Sequence, residues 1–225
     1  MKKSLLTMTV LCAMSALAHA HMIYVVPQKD GEALIVFSDS LMTDERIDSA
    51  KMAKTTLFVR DASGKNTPLK LETLEHALKT TIPGSGNRVV YGTTDYGVLA
   101  KGDAKPFMLV YHPKTVVGSA AEAIAVGAAT PVEIDPVVTG KSVRFRVISK
   151  GKPLAENEVG VIVPGKDKAE KVATDKDGLT PAFEVAGQYG VYTKMSETVS
   201  GEKDGKKYEE IRHYATLVVT VAAAK

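Results

Sequence analysis

Short runs of large apolar or β-branched residues recur along the chain, each ended by a turn-forming step. Met22–Val26, Leu34–Phe37, Thr56–Arg60 and Leu69–Leu74 open the series. Arg88–Tyr91, Phe107–Tyr111, Val143–Ile148, Val159–Val163 and His213–Val221 continue it. Asp-Gly, Ser-Gly, Pro-Gly and Lys-Gly steps fall between them at hairpin spacing, the punctuation of a sandwich or barrel. Asp44–Lys54 is the one stretch compatible with a helix. Its Ile47, Ala50 and Met52 are too sparse to define a face, so a short helix and an irregular crossover both fit. The pattern predicts an all-β protein.

Its organisation is predicted as two consecutive β-sandwich domains. Val116–Ala129 is rich in small residues and poorly patterned, and Pro131 and Pro136 bracket the short run Val132–Ile134. Beyond it, alternating segments and turns give about seven strands in roughly 90 residues, the density of an immunoglobulin-like or prealbumin-like sandwich. Residues 21–130 are accordingly expected to form an N-terminal β domain and 131–225 a C-terminal sandwich. Ser200–Glu210, rich in Lys, Glu and Gly, reads as a solvated hairpin tip. Thr174–Gly178 reads as a turn rather than a calcium loop, because Leu179 stands at the third ligand position and the glycine comes too early.

The last strand makes the sharpest geometric claim. Ile211, His213, Ala215, Leu217, Val219 and Val221 form a face that is apolar except for its histidine. Arg212, Tyr214, Thr216 and Thr220 form the other face, interrupted by Val218. Period-two alternation therefore turns His213 inward. An unsatisfied buried imidazole costs about 1–3 kcal/mol, so it needs a partner. A metal shared with His21, a carboxylate such as Asp95, or a backbone carbonyl would each serve.

The amino terminus adds chemistry. Lys2 and Lys3, the apolar Leu5–Leu17 and the small Ala18 and Ala20 have the form of a secretory signal occupying residues 1–20, which predicts a periplasmic protein. Cleavage after Ala20 would leave His21 first in the mature chain, its free amine and Nδ1 able to close a six-membered chelate on one metal ion. No later segment reaches 18 uninterrupted apolar residues, so no membrane span and a soluble mature chain are expected. Cys12 is the only cysteine and leaves with the signal, which excludes a disulfide scaffold, a zinc–thiolate site and a cysteine nucleophile. Lys2 and Lys3 leave as well, so 29 basic residues fall to 27 against 26 acidic ones. A net charge of +1 leaves no electrostatic footprint for nucleic acid.

Four histidines remain in the mature chain: His21, His76, His112 and His213. Imidazole suits copper, nickel and zinc, and two histidines joining the terminal chelate would complete a tetragonal copper site. His112, at the end of Phe107–Tyr111, and His213 are the candidates to join His21; His76 is a weaker one. No Gly-x-Ser-x-Gly elbow is present, and Gly84-Ser85-Gly86-Asn87 and Gly140-Lys141-Ser142 lack the rest of a phosphate loop. The carboxylates of Asp44-Glu45 and Glu209-Glu210 are expected to be solvated.

Several segments together resemble a family of exported bacterial proteins of unknown function, described as the periplasmic component of nickel or cobalt uptake systems. The likeness rests on Ala18-His19-Ala20-His21, on Val90–Leu99, on Lys105–Tyr111, on Gly151-Lys152-Pro153-Leu154, on Thr174–Gly178, and on Gly205–Tyr208 running into Arg212–Ala215. It implies export, β-sandwich modules, a transition-metal role and a membrane transporter component as partner; it carries no ligand set. The residues and the resemblance together predict a non-enzymatic protein that binds copper, nickel or cobalt through His21, His112 and His213. Two alternatives stand beside it. One is an envelope interaction module with no metal. The other is a copper-dependent oxidative enzyme, which the absence of tryptophan for a polymer-binding surface disfavours.

Overall fold

The computed structural model describes residues 21–100 and 105–223; the predicted signal segment lies outside them. The chain is all-β. Its strands are β1 (Met22–Pro27), β2 (Glu32–Ser38), β3 (Thr55–Asp61), β4 (Asn66–Pro68), β5 (Glu72–Thr73) and β6 (Leu78–Thr81). Next come β7 (Arg88–Leu99), β8 (Phe107–Val117), β9 (Val132–Thr139), β10 (Ser142–Ser149) and β11 (Lys152–Pro153). The series ends with β12 (Glu158–Ile162), β13 (Glu170–Ala173), β14 (Gly187–Glu197), β15 (Gly201–Lys203), β16 (Lys206–Tyr208) and β17 (Glu210–Val221).

One eight-stranded sheet, ordered β13-β12-β14-β17-β8-β7-β3-β4, runs through the molecule. Its two halves meet where β17 pairs in parallel with β8, from Phe107 opposite Glu210 to Thr115 opposite Val218. The sheet β1-β2-β6-β5 covers one face and the sheet β9-β10-β11 covers part of the other. Two sandwiches therefore share a central sheet, with one hydrophobic core on each face. On the first face Tyr24, Ile35, Leu57, Leu109, Tyr111 and Val218 pack together. On the second, Phe145, Val161, Tyr189, Ala215, Leu217 and Val219 do so. Alternation along β17 divides its residues between these cores, and so does alternation along β8. The division expected near residue 130 falls in the link between β8 and β9, yet Val218 and Ile162 enter the first core and Val116 and Ala120 the second.

Local sequence explains most boundaries. β7 runs on through Gly92, where a Cβ would strike the Thr56 carbonyl of β3. It then bulges between Asp95 and Gly97, the latter at φ 104°. Pro136 lies within β9, which is tolerated because β9 is an edge strand. The run Leu69–Leu74 was expected to be a strand, but only Glu72–Thr73 pairs. In Asp44–Lys54 only Ser49–Met52 coils, as a 3-10 turn capped by the Asp48 carboxylate accepting from the Ala50 amide at 2.7 Å. The tip at 200–210 is the hairpin β15–β16, turned by Asp204 (φ 50°) and Gly205 (φ 74°).

Candidate functional site

The three predicted ligands divide between the faces of the central sheet. His112 and His213 lie on neighbouring strands and on the same face, the one that carries Lys114, Val116, Ala215 and Leu217. Both are buried, and His112 Nε2 meets His213 Nδ1 at 2.9 Å. The inward turn of His213 is as the alternation required. Its partner is neither Asp95, which pairs with Lys203, nor a carbonyl; it is the other histidine. Glu197 Oε1, itself 3.1 Å from Lys150 Nζ, stands 3.9 Å from His213 Nε2. That carboxylate favours a proton on His213 Nε2, so His213 Nδ1 accepts and His112 Nε2 donates. Burial, then the neighbouring imidazole, push the His112 pKa down to about 3. Burial lowers His213 as well, against the pull of Glu197. One hydrogen lies between the rings, and a proton added at His213 Nδ1 would turn that ring into a cation with its N–H facing the His112 N–H across 2.9 Å.

Two residues along β8, on the same face, Lys114 is only 5 % exposed and donates to Glu133 at 2.5 Å and to Asp135. Glu133 also accepts from the amides of Val126 at 2.5 Å and Gly127 at 2.7 Å. Burial alone would raise the Glu133 carboxyl, but Lys114 and these amides hold it low; burial wins at Asp135, whose pKa is raised. A hollow lined by Tyr91, His112, Lys114, Glu133 and Thr216 holds about 10 Å³, room for one water. The sequence carried a sign of this cluster: a lone lysine within the strand β8 and two acids within Val132–Pro136.

His21 lies on the other face. Tyr111, adjacent to His112 in β8, points the opposite way and donates its hydroxyl to the His21 carbonyl at 3.4 Å. The His21 ring packs edge-on against Phe37, 5.6 Å between centroids, beside Tyr96 and Tyr111. Its Nε2 meets Asp44 Oδ2 at 3.0 Å. Arg46 grips the same carboxylate in two places, Nε to Oδ1 at 2.9 Å and Nη2 to Oδ2 at 2.8 Å. Asp44 was expected to be solvated; its side chain is only 9 % exposed, and Arg46 and then His21 hold its carboxyl well below the usual range. The loop from Ser38 to Ile47 thus supplies the residue that sequence reasoning missed.

The central sheet therefore separates His21 from His112 and His213, and the three do not converge. His76 bonds to none of these histidines; its Nδ1 is 3.0 Å from the Ile47 carbonyl. No group of three or more His, Cys, Asp or Glu side chains with metal-ligand geometry occurs among the described residues.

No family model matches the chain, and no curated protein does. Among solved structures, a two-domain fibronectin type-III segment from chicken tenascin is 13 % identical, covering 86 % of this chain and 97 % of that one at a TM-score of 0.21. The D0–D1 domain of intimin is 12 % identical, covering 88 % and 97 % at a TM-score of 0.20. A DUF3823 family protein from Bacteroides ovatus is 10 % identical, covering 90 % and 99 % at a TM-score of 0.20. No helix among the described residues is long and apolar enough to cross a membrane.

Proposed function

We propose that this chain is an exported interaction module of the cell envelope, a stack of β-sheets that presents its surface to a partner. The disposition of its reactive side chains supports this reading. His112 and His213 hydrogen-bond each other, Lys114 closes on Glu133 and Asp135, and the hollow beside them has room for one water rather than a substrate. These groups join layers around a space too small for a substrate. The test uses the exported chain with one extra residue before His21, which removes the terminal chelate. Its melting temperature is expected to be the same with copper(II), nickel(II), cobalt(II) or zinc(II) as with a chelator. A ligand at 100 times its dissociation constant stabilises a fold by about 2.7 kcal/mol. A shift of that size, lost in His112→Gln or His213→Gln, would overturn the reading.

A second reading is favoured by one specific arrangement, the His21 ring held by Asp44. In it the mature amino terminus binds copper, nickel or cobalt for uptake or handling, with a membrane transporter component as partner and the sheets as scaffold.

A further inference from the structure

The His21 ring is anchored more firmly than a chain terminus requires. Its Nε2 is engaged by Asp44, its ring by Phe37 in an edge-on contact and its carbonyl by Tyr111. Asp44 is in turn fixed by the two-pronged grip of Arg46, whose own side chain is 79 % exposed. A carboxylate accepting from one imidazole nitrogen dictates the tautomer, because that nitrogen must carry the proton. With the proton on Nε2, Nδ1 presents its lone pair. Nδ1 is also the only ring nitrogen that can close a six-membered chelate with the residue's own amine.

We propose that Asp44 is the positioning residue of a two-nitrogen copper(II) site at His21, in which the ion is held by Nδ1 and by the amine that cleavage after Ala20 would free. This rests on the second reading above and narrows it. His112 and His213 contribute nothing, because the central sheet stands between them and His21. The protein supplies two donors, and the other positions on the ion are left to water or to an exchangeable ligand of the partner. Copper(II) heads the divalent order for nitrogen donors and is the ion to use as probe. The carboxylate beyond the ring raises the basicity of the ligating nitrogen, and loss of such a partner typically weakens metal binding 10–100-fold. Because an unperturbed terminal amine titrates near pH 7.7–8.0, affinity should fall with acid.

The experiment takes the chain beginning at His21. Nitrogen NMR of the metal-free protein should show His21 protonated at Nε2; protonation at Nδ1 would overturn the proposal outright. Copper(II) titration against a competing chelator should give one ion per chain, and electron paramagnetic resonance should show coupling to two nitrogens. Asp44→Ala should bind copper 10–100-fold more weakly. Asp44→Asn should recover most of that affinity, since its amide oxygen can accept the same proton. Melting both variants without metal separates lost folding from lost binding. If Asp44→Ala binds like the parent, or the two variants lose equally, the role of Asp44 is wrong while the chelate stands. If one extra residue before His21 leaves affinity unchanged, the second reading itself fails. If His112→Gln or His213→Gln weakens binding, the ion is on the other face and both fail.

Discussion

Lys114→Met retains a side chain of similar length and removes the one cation from the buried cluster on β8. Lys114 and Glu133 are 5 % and 4 % exposed, Asp135 is 19 % exposed, and each carboxylate contacts the ammonium. Without it two carboxylates face each other beneath a sheet, and only Glu133 keeps other donors, the amides of Val126 and Gly127. Removing one member of a buried ion pair costs about 3–5 kcal/mol. The partial exposure of Asp135 and the amides at Glu133 put the expected loss near the lower figure. For a chain of this length each kcal/mol is worth about 2–4 °C, so the melting temperature should drop by about 6–12 °C at pH 7. The pH dependence separates charge from packing. In the variant, burial and mutual repulsion raise a carboxyl pKa above its unfolded value. Its favourable protonated form is present at low pH and lost as pH rises, so the deficit should shrink between pH 7 and pH 5. Thermal melts of parent and variant at both values read this directly. A drop below 2 °C, or the same deficit at the two pH values, would refute the account of Lys114 as an electrostatic tie.

The His112–His213 pair sets a second acid response. Both folded-state pKa values are lowered, so the unfolded chain takes up protons first and stability should fall as pH drops below about 6.5, by up to about 1.4 kcal/mol per unit per histidine. Denaturant titrations from pH 7.5 to pH 5 should show that slope, and His112→Gln should flatten it. Thr216→Val leaves the Ile23 carbonyl without the hydroxyl that reaches it at 2.6 Å, and should cost about 1–3 kcal/mol in the same titrations. Gly92→Ala places a methyl group on the Thr56 carbonyl and should destabilise by about 2–4 kcal/mol, read as a lower denaturation midpoint at unchanged slope.

The strands were legible wherever period-two alternation was clean. Along 211–221 it located the strand and the face that buries His213, Ala215, Leu217 and Val219, but not that Thr216 and Val218 are buried on the opposite face as well. Alternation is silent about which strand comes next, and the decisive event of this fold is such a pairing. His112 and His213 are 101 residues apart, and only the parallel register of β8 with β17 makes them neighbours. The same silence hid the separation of His21: His213 was placed on its strand, but His112 was read at a strand end and lies within β8, and the sheet that stands between it and His21 belongs to the topology. Asp44 was missed for a different reason. Asp44-Glu45 read as a pair of solvated carboxylates, and the shielding of Asp44 follows from its contacts with His21 and Arg46, the first of which no local pattern records.

The parallel seam also dictates the order of assembly. β8 ends at Val117, and its neighbour β17 is not complete until Val221, near the end of the chain. Until that last strand arrives, one long edge of β8 has no hydrogen-bonding neighbour, and the first core lacks Val218. A non-local contact of this kind must wait for loop closure before it contributes, which slows folding. Until β17, Glu210–Val221, has been made, the sheet stays open along that edge. An unpaired edge of that length invites pairing with another chain. The interval before β17 docks is when this protein is most exposed to aggregation, and the last strand is what ends it.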